Sequence, residues 1–561
     1  MRATMLLVGF MLASLAAISA QEASDDVVQT ITGAVRGVDV PTTTGSVRAY
    51  LGIPFAEPPV GELRFKKPVP KMPWKGVYNA TSQPPLCPQM PVRINNFFLI
   101  RASDPVSEDC LYVNVFVPTR NDSSLLPVIV YLPGGGFSYG GISIGAMDTS
   151  ELAVRGNVIT VAVGYRLGAF GFLYMDIEDA PGNMGLYDQL LALKWVRNNI
   201  RAFGGDPSRV TLMGESAGSI AVGMQLISPK SKGLFKRAVM QSGSPFTAAV
   251  VSDQKQGLFR AYLLSRALGC DGGEAKNSAE DVVKCLKSKP FMDILNATES
   301  FNAGGLDSFF PVFGEEMLPE KPATALKRGI VNADELLAGI CESEGDLFLY
   351  FLFNKLRDMN SIEDVMSGEM IFLIKALITS TMEVDPDPII KYYFNGVNVT
   401  QGREPVYIGS SLIGDMQFGC PTLGFAKRFL RTDRSVYMYQ WSQQASFVDW
   451  PEWTRPTHGD DIFFSLGSGL KLAKNATTDD IKATENFIHI LSTFSHTGVP
   501  KVLDNTSWPK FNDEEQYLDL RREGNVVKKR LLQPACEFWG KQSRRSCKKR
   551  LAAGLDTMTY C

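Results

Sequence analysis

The stretch RVTLMGESAGSIAVGMQLI, Arg209–Ile227, changes its periodicity halfway. Arg209–Met213 is a short β-rich apolar run, and SAGSIAVGMQLI continues as a helix, with GESAG between them. A G-x-S-x-G turn that joins a strand to a helix holds its serine on a strained bend. That bend lifts the hydroxyl above the sheet, and the small neighbours let the turn close. The same alternation repeats on both sides. PVIVYL (Pro127–Leu132) and NVITVAVGY (Asn157–Tyr165) read as buried strands, LYDQLLALKWVRNNIRAF (Leu186–Phe203) as a helix, and RAVMQSG (Arg237–Gly243) as a further strand. Continuous apolar runs between helices predict a mostly parallel sheet covered on both faces. The fold class is α/β, one large domain with long insertions.

The serine pattern occurs three times, and only its setting separates the copies. GFSYG (Gly136–Gly140) and GISIG (Gly141–Gly145) lie in a glycine-rich loop with no helix close behind, so Ser138 and Ser143 read as loop serines. That loop fits no nucleotide fingerprint either, since the third glycine of G-x-G-x-x-G would fall on Tyr139 and no lysine follows. Ser216 is the candidate nucleophile.

A serine hydroxyl needs a base to take its proton, and the chain has 3 histidines. His489 sits in an amphipathic run and reads as a packed helical residue; His496 falls in the last turn, where it complements the helix dipole. His458 lies in the loop RPTHGDDIFF, ahead of a helix start at Asp460 or Asp461, and is the best base. The base needs an acid to fix its tautomer. In the chain order Ser, acid, His, the apolar run Leu336–Ile340 ends on Glu342, Glu344 and Asp346, and the residues alone do not choose among them.

The 561 residues carry a net charge of −2, with 45% hydrophobic and 21% charged residues. That is ordinary globular composition and gives no reason to invoke nucleic acid or an anionic membrane. Residues 1–20 read as a signal peptide, cleaved near Ala20–Gln21, with no later stretch apolar enough to act as a membrane anchor. Sequons stand at Asn79, Asn121, Asn296, Asn398, Asn475 and Asn505, and 9 cysteines imply mostly paired thiols. The expectation is a secreted glycoprotein with one domain over 21–540 and a basic tail over 541–561.

GGDPSRVTLMGESAGS (Gly204–Ser219) and SEDCLYVNVF (Ser107–Phe116) closely resemble the two signature segments of the type-B carboxylesterase/cholinesterase family. The resemblance continues through GIPFAEPPVGELRF (Gly52–Phe65), GYRLGAFGFL (Gly164–Leu173) and NMGLYDQLLALKWV (Asn183–Val196) and covers nearly the whole mature chain. It implies an α/β-hydrolase fold and ester hydrolysis through an acyl-enzyme, with no metal or organic cofactor. Carried over by motif, it makes Ser216 the nucleophile, His458 the base and Glu344 the acid, with Glu342 second in line. Gly135, Gly136 and Ala217 become the backbone donors of an oxyanion hole. It implies disulfides Cys87–Cys110, Cys270–Cys285 and Cys420–Cys536. Cys341 is then a buried free thiol, and Cys547 and Cys561 either pair together or link a homodimer.

Two departures bear on the substrate. The usual His-Gly-Gly-Gly is Pro133-Gly134-Gly135-Gly136, and the loop Cys87–Cys110 has no tryptophan, its aromatics being Phe97 and Phe98. Without that ring a cation–π choline site is not expected there, which favours a small-molecule ester that is uncharged. Phe309 and Phe310 resemble the acyl-pocket region. The alternatives are a lipase or sterol esterase of the same family, or a non-catalytic adhesion relative that has lost the triad.

Overall fold

The computed structural model describes residues 27–94, 97–120, 123–273, 277–301, 309–353, 356, 362, 367–382, 384–396, 403–473 and 475–552. The expected signal peptide, Asn121, Asn398 and Cys561 lie outside them, as do the side chains of Phe97 and Phe98.

An 11-stranded sheet organises the chain. Across it the strands run Val38–Thr42, Gly45–Pro54, Tyr112–Pro118, Ile159–Val163, Leu126–Leu132, Gly205–Glu215, Arg237–Gln241, Glu335–Cys341, Ser435–Ser442, Gln516–Arg521 and Val526–Lys529. From Ile159–Val163 to Gln516–Arg521 all neighbours are parallel, and the pairings outside that block are antiparallel. Helical crossovers enforce the parallel block: Gly205–Glu215 passes through Ala217–Ile227 before Arg237–Gln241 lies beside it.

Both faces of the sheet are buried, and strand alternation shows how. Along Leu126–Leu132, Val128, Val130 and Leu132 point into one core, while Ile129 and Tyr131 point into the other. Ile159, Val161 and Val163 take the first core and Ala162 the second. Successive side chains of a strand face opposite ways, so a strand covered twice is apolar at nearly every position. In these two strands the exception is Thr160, its hydroxyl bonded to that of Thr149. This is why the uninterrupted runs marked these strands in the sequence.

Some boundaries move. The predicted helix Leu186–Phe203 is an α-helix over Met184–Asn199 followed by a 3-10 turn over Ile200–Phe203. The strand predicted from Arg209 starts at Gly205, which pairs with Leu126 before a register shift restores the ladder at Val210.

Because the central strands are parallel, their carboxyl ends share one edge, and ligand sites of open α/β sheets collect there. The glycine loop follows Leu126–Leu132, Ser216 follows Gly205–Glu215, and Ser242 follows Arg237–Gln241. Glu344 comes three residues after Glu335–Cys341, and His458 follows Ser435–Ser442 by a longer loop. A third apolar cluster, including Leu349, Tyr350, Ile374, Val406, Ile413, Trp453 and Trp539, packs the insertion behind the Glu344 turn.

Disulfides join Cys87 to Cys110, Cys270 to Cys285 and Cys420 to Cys536, the pairings the resemblance implied. Cys341 is a buried free thiol, and Cys547 is disulfide-bonded. The sequon residues Asn79, Asn296, Asn475 and Asn505 are exposed. The basic stretch from 541 continues the helix Ala535–Ala552. No helix among the described residues is long and apolar enough to cross a membrane.

Candidate active site

Ser216 sits between the strand Gly205–Glu215 and the helix Ala217–Ile227 with φ 55 and ψ −124, outside the regions an L-residue favours. Holding a residue there costs on the order of 1–3 kcal/mol. The flanking glycines are what permit it: a Cβ on Gly218 would stand 2.1 Å from the Leu132 carbonyl oxygen, and one on Gly214 would stand 2.4 Å from the Gly218 carbonyl carbon. The helix therefore starts pressed against the sheet, with the serine at the bend.

Two hydrogen bonds link three distant segments. The Nε2 of His458 lies 2.8 Å from the Ser216 Oγ, and its Nδ1 lies 2.6 Å from the Glu344 Oε2. Glu344 does not turn freely. Its Oε1 accepts from the Ser242 hydroxyl at 2.6 Å and from the Cys341 N–H at 2.7 Å. With both oxygens placed, the carboxylate orders the imidazole so that Nδ1 donates and Nε2 accepts from the serine. Burial pulls the His458 pKa down, but the charge of Glu344, then that of Glu215 and the Glu344 hydrogen bond, overcome it and raise the value. Such a group takes a proton from a hydroxyl and holds it.

The three carboxylates after Leu336–Ile340 have three fates. Glu342 points to solvent, Glu344 meets His458, and Asp346 turns to Arg455. Asp346 is fully buried; its Oδ1 takes the Arg455 Nη2 at 3.1 Å, and its Oδ2 takes the Arg455 backbone N–H at 2.8 Å. It also accepts from the hydroxyls of Ser343 and Ser410. Beside this ion pair, the Ser343 N–H donates to the Pro456 carbonyl and the Leu347 N–H to the Thr457 hydroxyl. The turn bearing Glu344 is thus stitched to the loop bearing His458 from both sides.

The glycine loop is fixed at several points. The buried Tyr165 hydroxyl donates to the Pro133 carbonyl at 2.6 Å, and the Gln89 amide brackets Gly140, donating to its carbonyl and accepting from its N–H. The loop keeps its anchor with proline at position 133. Gly134 packs on the Ser216 turn: a Cβ there would be 2.5 Å from the Glu215 carbonyl oxygen. Gly135 and Gly136 have φ of 115 and 60. Among the described residues no hydrogen bond uses the N–H groups of Gly135, Gly136 or Ala217. Ser138 donates to the Gly136 carbonyl and Ser143 to the Pro84 carbonyl, as loop serines do.

Several residues at the site gave no sequence signal. Glu215, the variable position of G-x-S-x-G, is buried with Oε1 3.4 Å from the His458 Nε2. Burial, with Asp461 and Glu344 adding repulsion against the pull of His458, pushes its carboxyl up to about 8. Asp461, three residues past His458, accepts from Gln241 and from the Tyr439 hydroxyl. Two rings pack against the imidazole at a tilt, Phe418 at 4.1 Å and Phe348 at 5.3 Å. Phe418 rides on a π-helical segment, Asp415–Gly419, which no apolar period foretells. Phe309 and Phe310, expected near an acyl group, are buried in the first core, with Phe310 under the Arg260 guanidinium at 5.2 Å. His489 and His496 lie on the helix Thr478–Thr497, half-buried.

The model of the carboxylesterase family matches residues 24–539. The chain is 35% identical over 529 residues to an acetylcholinesterase of Bungarus fasciatus, covering 91% of this chain and 85% of that one. It is 34% identical over 535 residues to a cholinesterase of Mus musculus, covering 92% and 86%.

Proposed function

The chain belongs to the carboxylesterase family, and on that premise we propose that it is a secreted serine carboxylesterase acting on uncharged esters through a Ser216–His458–Glu344 triad. The observation that carries this reading is the unbroken hydrogen-bonded chain from the Glu344 carboxylate through His458 to the Ser216 hydroxyl.

The reaction is a two-step acyl transfer. The Ser216 Oγ attacks the ester carbonyl while its proton passes to the His458 Nε2, and the negative oxygen forms against the amides of Gly135, Gly136 and Ala217. Donors placed in advance cost no reorganisation when that charge develops, and losing one is worth roughly 10²–10³ in rate. The tetrahedral species collapses, the C–O bond to the alcohol breaks, and the alcohol leaves with the proton from Nε2. Water then gives its proton to Nε2 and attacks the acyl-serine; the bond from the acyl carbon to the Ser216 Oγ breaks, the Nε2 proton returns to that oxygen, and the acid is released. The Glu344 carboxylate stabilises the imidazolium in each half.

Three features favour an uncharged substrate although the relatives are cholinesterases by name. The loop Cys87–Cys110 has no tryptophan. Burial pushes the Glu215 carboxyl up to about 8, so it offers a cation a weaker counter-charge than an exposed carboxylate would. The rings at His458 are the apolar Phe348 and Phe418, which bring no charge to the site. Secretion is supported by the three disulfides and the exposed sequon residues.

An organophosphate should leave a single adduct, located by peptide mass on Ser216, and abolish turnover of p-nitrophenyl acetate and butyrate. Acetylthiocholine should be the poorer substrate. Because the base works only when neutral, kcat/KM should fall as pH drops through the His458 ionisation, at a pH above the ordinary histidine value. An adduct elsewhere, or folded protein that turns over neither ester, overturns the hydrolase reading. A strong preference for acetylthiocholine overturns the uncharged-substrate reading alone, and a preference for long acyl chains points to a lipase.

Asp346 supplies a separate prediction. Asp346→Ala removes the ion pair that joins the acid turn to the base loop while leaving every reacting atom in place. Small misplacements of a catalytic group cost as much as ~10² in rate. We expect kcat to fall by roughly that factor with KM little changed, whereas Asp346→Asn, which keeps acceptors for the serines, should lose less. Equal kcat in all three proteins would show that the ion pair does not position the triad.

A further inference from the structure

The helix Ala535–Ala552 carries six basic residues and one acidic residue, Glu537, in a chain whose net charge is −2. At 3.6 residues per turn, Lys541, Arg544, Arg545 and Lys548 fall within about 100° of one another around the axis and span about 10 Å along it. All four are exposed. The Cys420–Cys536 bridge ties this helix to the helix Cys420–Leu430 near the start of each. Arg428 stands eight residues past Cys420, as Arg544 stands eight past Cys536, and Arg431 follows as an exposed cation. The two helices thus bring their basic residues to one place.

Several cations elsewhere have carboxylate partners: Arg48 with Asp39, Lys71 with Glu57, Arg155 with Glu151, and Lys427 with Glu515. Among the described residues no ion pair holds Lys541, Arg544, Arg545, Lys548 or Arg431; Glu537, one turn before Lys541, makes none with it either. The cations repel. Burial lowers the Arg428 pKa, and the neighbouring charges of Arg431 and Arg544 lower it further while its guanidinium rests on the Phe246 ring at 4.8 Å. A cluster held together by the fold, without acids to balance it, is complementary to a ligand carrying several negative charges.

We propose that the face formed by Lys541, Arg544, Arg545 and Lys548, flanked by Arg428 and Arg431, is a docking surface for a sulfated polysaccharide. The chemistry of the surface selects among polyanions. A membrane would need apolar side chains to insert beside the charges, yet no large exposed hydrophobic residue lies on this helix among the described residues. A single-stranded nucleic acid would need free rings for stacking, but Trp539 is buried and Phe538 is stacked on Tyr392 at 4.0 Å. A sulfated sugar chain needs neither, only a row of cations at its own charge spacing, and it shares the oxidising exterior to which three disulfides point. The surface lies outside the Ser216 site, so docking here localises the protein without entering its chemistry.

The test is titration of the full chain with a fluorescent heparin oligosaccharide at two salt concentrations. The wild type should bind at physiological ionic strength. The variant K541S/R544S/R545S/K548S should bind at least tenfold more weakly, with a shallower slope of log K against log salt by roughly one per cation lost. Turnover of p-nitrophenyl acetate should not change. A control with as many exposed lysines removed from other helices, K194S/K255S/K284S/K482S, should bind like the wild type. Independently of any variant, the oligosaccharide should protect Lys541 and Lys548 of the wild type from acetylation. No binding by the wild type, equal loss in the control variant, or no protection of these lysines overturns the surface. Tighter binding to phosphatidylserine vesicles or to RNA overturns the sulfated ligand.

Discussion

His458→Ala is expected to lower kcat/KM for a p-nitrophenyl ester by about 10⁶, the scale of losing the base of a serine–histidine pair. Its Nε2 is 2.8 Å from the Ser216 Oγ, and no other histidine is placed to substitute, since His489 and His496 lie on the helix Thr478–Thr497. Glu215 is the carboxyl group on the Nε2 side of the ring, with Oε1 3.4 Å from that nitrogen. It makes a poor replacement. Its carboxyl is pushed up to about 8 by burial and by its acidic neighbours, and among the described residues the Ser216 hydroxyl is bonded to His458 and not to Glu215. The variant should keep a residual rate roughly 10³–10⁴ above water, because the amides aimed at the oxyanion are backbone groups untouched by the change. Measured as kcat/KM with folding checked by Tm, a loss smaller than a hundredfold would place the base elsewhere.

Glu344→Gln should cost about 10⁴ in kcat, and the reason is the direction of two hydrogen bonds. The Glu344 Oε1 accepts from Ser242 and from the Cys341 N–H. A glutamine there must present its amide oxygen to those two donors, which turns its NH₂ toward the His458 Nδ1. That nitrogen then has to accept, so the proton of a neutral imidazole moves to Nε2, where it cannot take another from Ser216. The side chain fits without a void, and the loss should appear in kcat and not in Tm. Glu342→Gln, on an exposed side chain, should leave kcat unchanged within about twofold on the scale of a surface substitution. A larger loss in Glu342→Gln than in Glu344→Gln would reverse the assignment of the acid.

Of the proposed triad, the acid is marked least clearly by the local sequence. Glu342, Glu344 and Asp346 follow one strand within five residues, all three acidic, on a turn with no period to sort them. Local sequence predicts that carboxylates gather there. Which one meets an imidazole depends on segments more than a hundred residues away: Arg455 engages Asp346, and Ser242 engages Glu344 beside the local Cys341 N–H. Ser216 was legible because strand, bend and helix are written in nineteen consecutive residues, and His458 because so few histidines compete. Phe418, Phe348 and Glu215 carried no such mark. Each is an ordinary residue that the fold carries to the imidazole.

The sequence by itself determined the elements and their order. Apolar runs specify strands covered on both faces, helical periods force right-handed crossovers, and crossovers make the central strands parallel, which brings their carboxyl ends to one edge. Glycine positions are equally local, since a Cβ at Gly214 or Gly218 would meet backbone atoms of the same turn or the adjoining strand. Only the tertiary structure decided the electrostatics. Whether a carboxylate is a triad acid, an ion-pair clamp or a neighbour with a raised pKa depends on burial and on charges within a few ångströms. Those distances are set by packing between segments that the chain order leaves far apart.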